Sequence, residues 1–308
     1  MHLNPIVKKD VKVQSRSMKI CWGIFAYELI LALVFFLAML VIQQNSIYSG
    51  GQNIYNAMVW LYPILAVTQL VILGIVVPVR TAASISGEKE RQTFDIMMTT
   101  SMTPFSVILG KVMTAIVQSM FYVVAGMPIM ALPFIIGGMS WSSLFWFLGV
   151  ALLVSVFSAS IGILCSSICR KSISAVIMSY GIYLIFFLGT GLPYLIYQLV
   201  IAANNSYGYV QSGSGDNLLL LLLLNPAVYL LEFFAEVMIG ESVAASMLGT
   251  MSSTQPGGLV RLAASEGRWL IISTVVFLAV IFLFLWLAAR RIDPVRQHRR
   301  RQSMKSKA

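Results

Sequence analysis

The chain has 308 residues, of which 58% are hydrophobic and only 10% charged, with a mean hydropathy of +0.86. Soluble domains carry about 25% charged residues, so this composition excludes a soluble globular protein and points to an integral membrane protein. The net charge of +10 sits at the two ends and in short loops between apolar runs; that is the pattern of loops at a membrane surface and gives no reason to expect nucleic acid as a partner.

Residues 1–19 predict an amphipathic interfacial helix. Asn4 fits the N-cap and Pro5 the first helical position. At 100° per residue Lys8, Lys12, Arg16 and Lys19 gather on one face, with Leu3, Val7, Val11 and Met18 opposite. This stretch is polar and the next apolar run is too long for a signal h-region, so no cleavable signal peptide is expected.

Six apolar segments follow, near 20–42, 57–79, 105–136, 142–168, 173–201 and 269–289, each long enough for a span of roughly 20 residues. Together they make a transmembrane domain over 20–289, followed by a basic tail over 290–308. The third segment exceeds one bilayer thickness and must tilt, kink near Pro128 and Pro133, or extend into the cytoplasm. In the first, Glu28 is a charge inside a span, which marks either a polar transport path or a structural carboxyl paired with a neighbouring helix. In the fourth, Ser158, Gly162 and Ser166 form a small-residue stripe suited to close packing, within the chain or between subunits. Cys21, Cys165 and Cys169 lack the His, Asp or Glu neighbours of a metal site and are expected as small buried apolar residues, so no metal is expected.

Residues 218–239 are apolar enough for a seventh span, but the charge count opposes it. With six spans and both termini cytoplasmic, only Arg261 and Arg268 of the 21 Lys and Arg fall on the outer side; a seventh span would put the basic tail outside, against the positive-inside rule. Asn225-Pro226 and the Glu232/Glu236 pair suit an interfacial or re-entrant helix within an outer-face region at 202–267.

Catalytic constellations are scarce. His2 and His298 lie in the terminal segments. Gly110-Lys111 is followed by valine and lacks the upstream glycine of a phosphate-binding loop, so the chain is not expected to hydrolyse ATP or to bind a cofactor itself.

The cytoplasmic segment 80–104 is different. It collects Glu88, Lys89, Glu90, Arg91 and Asp95 between two apolar runs. Plotted as a helix over 88–99, Phe94, Met97 and Met98 form an apolar patch flanked by Glu90 and Arg91, with Asp95 facing away. Such a patch fits a groove on a partner, and it fits a lipid interface equally well. Thr103-Pro104 reads as the N-cap and first position of the next helix.

The segment "SGEKERQTFDIMMTTSMTPFSVILGK" resembles the cytoplasmic coupling segment of permease subunits in type-two ABC exporters, the ABC-2-like family. Glu88, Glu90, Arg91, Thr93, Asp95, Pro104, Gly110 and Lys111 occupy the positions of that pattern. Gln92 departs from it, standing where the family often has glycine. The resemblance extends in layout to "NPIVKKDVKVQSRSMK" and "LCSSICRKSISA". It implies an all-α membrane protein whose coupling helix, through Glu88, Glu90, Arg91, Phe94, Asp95, Met97 and Met98, contacts a cytoplasmic ATPase subunit. It further implies ATP on that partner, a second permease subunit, identical or paralogous, and a place in the cell membrane. An ion-coupled secondary transporter using Glu28 and a membrane scaffold or sensor remain the other readings.

Overall fold

A computed structural model of the chain describes Lys12 and residues 17–48, 60–93, 104–137, 141–206, 218–238 and 268–292. Every regular element among them is helical: α1 Met18–Tyr48, α2 Leu61–Glu90, α3 Pro104–Gly137, α4 Trp141–Ile168, α5 Ser172–Ser206, the single turn α6 Leu218–Leu221 with a 3-10 turn Leu222–Leu224, α7 Pro226–Met238 and α8 Arg268–Ile292. Six of these helices, α1 to α5 and α8, are long and apolar enough to cross a membrane. The expected surface helix over 1–19 lies outside the described residues apart from Lys12 and its last residues, of which 18 and 19 begin α1.

Two compact units divide the chain, Met1–Ser179 with Ile281–Ala308, and Tyr180–Val280. The first is organised on the crossing of α2 with α4. A Cβ added at Gly162 would lie 1.9 Å from Thr81 Oγ1 and 3.1 Å from the Ala82 amide nitrogen, so only glycine permits this approach of the backbones. Ser158 and Ser166 on the same stripe are fully buried. The small-residue stripe is therefore used within the chain. Serines in this apolar setting satisfy their hydroxyls on their own helix, as Ser155 does on the Ala151 carbonyl and Ser158 on that of Val154. At the other end of α2, Tyr62 donates to the Ser143 carbonyl and packs edge-on against Phe134 and Phe147.

The main departure from the sequence reading is the length of α2. Its apolar run ends at Val79, yet the helix continues to Glu90, a total of about 45 Å against a hydrocarbon core of about 30 Å. Two causes combine. Thr81, Ser84 and Ser86 turn their hydroxyls onto the carbonyls of Val77, Thr81 and Ala82, so the polar residues cost the helix little. One face is also buried, with Ile85 packing among Ile108, Val112, Ile163, Leu164, Ala288 and Ile292. Residues 88–90 thus belong to the end of α2 rather than to a separate helix, and 94–99 lie outside the described residues.

α3 starts at Pro104, as its capping pattern predicts, and continues as one helix through Pro128 and Pro133. Its extra length stands beside the polar end of α2. The cysteines are all free: Cys165 is buried as expected, Cys169 is half-buried, and Cys21 faces outward instead.

In the second unit the 218–239 segment is broken. Asn225 adopts an extended backbone between the 3-10 turn and α7. Its Oδ1 accepts from the Ala227 amide, an N-cap followed by proline at the first position. Its Nδ2 donates to the Phe187 carbonyl, and Gly191, where a Cβ would sit 3.3 Å from that nitrogen, leaves room for it. α7 is then only about 20 Å long, too short to span. It packs Tyr229 against Phe277, with a hydroxyl contact to Thr274, and buries Glu232.

Candidate functional site

The end of α2 carries three successive charges, and each goes to a different element. Glu88 Oε1 receives a hydrogen bond from Lys111 Nζ of α3 at 2.7 Å, an ion pair whose lysine is only 8% exposed and whose carboxylate is 28% exposed. Lys89 Nζ reaches the carbonyl oxygens of Ser166, Ser167 and Cys169 at 3.2, 2.5 and 3.4 Å, where α4 ends. Glu90 Oε2 accepts the Ser172 hydroxyl at 2.7 Å and its amide at 3.3 Å, where α5 begins.

The electrostatics follow from helix polarity. The last carbonyls of a helix lack intrahelical donors and carry partial negative charge, while the first amides carry partial positive charge. Lys89 serves the negative end of α4, and the next residue, Glu90, serves the positive end of α5. Only Cys169, Arg170 and Lys171 separate these helices, so one turn of α2 clamps both sides of that joint. Ser172's two donors hold the exposed Glu90 carboxyl, eleven residues beyond the apolar run. Ser166 adds a fourth tie, its hydroxyl accepting from the amides of Ile85 and Ser86 at 2.9 and 2.8 Å.

α2 stops in a defined way. The Gln92 amide bonds the Lys89 carbonyl and the Thr93 amide bonds that of Glu88, with Gln92 at φ 59°. This is the Schellman ending, whose left-handed residue is usually glycine. The position where Gln92 departs from the family pattern is therefore the position whose backbone favours glycine.

Of the expected contact residues, Glu88 and Glu90 are engaged within the chain and Arg91 is exposed at the end of α2. Phe94, Asp95, Met97 and Met98 lie outside the described residues. Sequence reasoning passed over Lys89, Ser166 and Ser172 as site residues. Nothing local marks them, because their partners are 77 to 82 residues away. Lys111 was visible only as the closing lysine of the pattern, and in the fold it meets the pattern's first glutamate.

Glu28 lies on α1, the least enclosed span, of which 11% is buried. Its Oε1 is buried with no hydrogen-bond partner among the described residues. Its chain neighbour Tyr27 packs edge-on against Tyr122 of α3. No group of three or more metal-ligating side chains occurs among the described residues.

Residues 5–203 match the sequence model of a family described as ABC-2 type transporter, which covers more than half of the chain and includes the whole α2–α5 joint. Among curated proteins none matches.

Proposed function

The chain belongs to the ABC-2 type transporter family and is a multi-pass transmembrane permease of an ABC transporter; we propose that it couples to separate ATPase subunits through residues 88–99 and exports its substrate. The family implies ATPase partners in general. ATP would act on those partners, and this chain would supply the path, with a second permease subunit, identical or paralogous, completing it. The distribution of Lys and Arg supports cytoplasmic termini in the cell membrane. Export rests on the family resemblance.

The observation that carries the coupling role is the three-way tie of Glu88, Lys89 and Glu90 to α3, α4 and α5. A partner can shift a conformational equilibrium only through contacts that differ between its states. A segment leaving the end of α2 is well placed to pass such a difference on, because that end is bonded to three other helices. Phe94→Asp and Met97→Asp should abolish co-purification of the ATPase while membrane insertion stays normal. Intact co-purification together with normal transport would overturn the proposal. Glu88→Gln should keep the partner bound and lower ATP-driven transport.

The second reading, ion-coupled transport, draws on the Glu28 carboxylate oxygen that is buried without a hydrogen-bond partner among the described residues. It expects transport without any ATPase, abolished in Glu28→Gln.

A further inference from the structure

Between α2 and α3, within the first unit, lies a cavity of about 260 Å³ lined by Arg80, Thr81, Ser84, Lys111, Thr114 and Gln118. Among the described residues two cations and no carboxylate line it. Glu88 already neutralises Lys111, whereas Arg80 has no ion-pair partner among the described residues. The cavity therefore carries close to one uncompensated positive charge.

Arg80 is held ready. It donates to the Tyr122 hydroxyl, and its guanidinium carbon sits 5.0 Å from that ring's centroid. Tyr27 supports the ring edge-on at 5.4 Å. Gly23 closes the back, since a Cβ there would lie 2.7 Å from the Tyr122 hydroxyl and 3.5 Å from Arg80 Nη2. One bond to Tyr122 leaves the guanidinium most of its five donors. The hydroxyls of Thr81, Ser84 and Thr114 rest on carbonyls of their own helices and must rotate to meet a ligand, so charge dominates the selection.

Size and setting narrow the ligand. The volume is just below the 300–1,000 Å³ or so of sites for drug-sized molecules, which suits one anionic group rather than a bulky substrate. Arg80 directly follows the apolar run of α2, at the depth where a lipid headgroup meets hydrocarbon. Deeper in the membrane, Ile75 and Val79 of α2 and Phe121 and Val124 of α3 are exposed. Val79 lies one turn from Ala83 and Phe121 one turn from Gln118, both of which line the cavity. A cationic pocket thus opens beside an apolar track, and basic pockets between spanning helices are how headgroups are captured.

We propose that the Arg80 cavity seats the phosphodiester of an anionic phospholipid whose acyl chains lie along the exposed stripe of α2 and α3. A monovalent phosphodiester matches one uncompensated charge better than a phosphate monoester of charge about −2.

The test uses the full chain in detergent, with bound lipid counted by native mass spectrometry and thermal stability measured in parallel. Phosphatidylglycerol should be retained about tenfold better than phosphatidylcholine, the worth of one charge-assisted contact. Arg80→Gln should remove that preference. Ser84→Glu, which adds a carboxylate at the half-buried rim, should remove it as well and covers the case in which Arg80→Gln fails to insert. Equal retention of the two lipids, or an unchanged preference in a folded variant, overturns the proposal. Inorganic phosphate should raise the melting temperature less than phosphatidylglycerol. Full stabilisation by phosphate alone, with no lipid preference, would make this a free-anion site and overturn the lipid assignment.

Discussion

The end of α2 and the start of α7 are both helix termini held by polar side chains, yet they are built differently. At α2, three charges and a serine hydroxyl tie one turn to α3, α4 and α5, above a crossing so close that Gly162 touches Thr81. At α7, one asparagine does both tasks, capping its own helix and anchoring it to α5. The first arrangement distributes its restraints over several elements. The second fixes where a chain turns and nothing more.

Substitutions can break that contrast at graded cost. The largest effect belongs to Gly162→Ala, whose new methyl meets Thr81 Oγ1 and the backbone of α2; overpacking of this kind costs about 3 kcal/mol. Unfolding in mixed micelles should show it, and a loss below about 1 kcal/mol would mean that α2 and α4 separate easily. Next comes Glu88→Gln, which takes the carboxylate away from the buried Lys111 charge. Breaking a fully buried pair costs about 3–5 kcal/mol, and the partial exposure of Glu88 reduces this to about 2 kcal/mol. The double variant Glu88→Gln/Lys111→Met should recover part of that loss, and a double-mutant cycle with no coupling would dissolve the pair as a structural tie.

Asn225→Ala should cost about 1.5 kcal/mol, from a lost N-cap and the lost hydrogen bond to the Phe187 carbonyl. Its damage should stay local, so hydrogen exchange should quicken around 225–229 while the end of α2 keeps its protection. Spread of the effect to α2 would contradict the contrast drawn above. The smallest change has the opposite sign. Gln92→Gly places glycine in the left-handed ending of α2 and should stabilise it by about 1 kcal/mol, read as slower exchange at the Gln92 and Thr93 amides.

The family match covers both the charged motif and the spans around it. The motif's internal role was hidden from the sequence for a geometric reason. A helical plot of 88–99 treats Glu90 and Arg91 as a rim around Phe94, Met97 and Met98. In the fold Glu88 turns to Lys111 and Glu90 to Ser172, while Arg91 points out from the end of α2. A plot of one segment contains no information about what stands beside it.

The sequence by itself determined six spans, the start of α3 at Pro104 and the interruption of 218–239 at Asn225-Pro226. Each follows from a local quantity: the length of an apolar run, a proline's missing donor, or an asparagine beside it. Only the tertiary structure decided that α2 runs on to Glu90, that Gly162 faces Thr81 and that Lys89 and Glu90 serve opposite helix ends. These depend on burial of Ile85 and on bonds between residues up to 82 positions apart. Hydropathy and capping act along the chain, whereas charge pairing and close packing act across it.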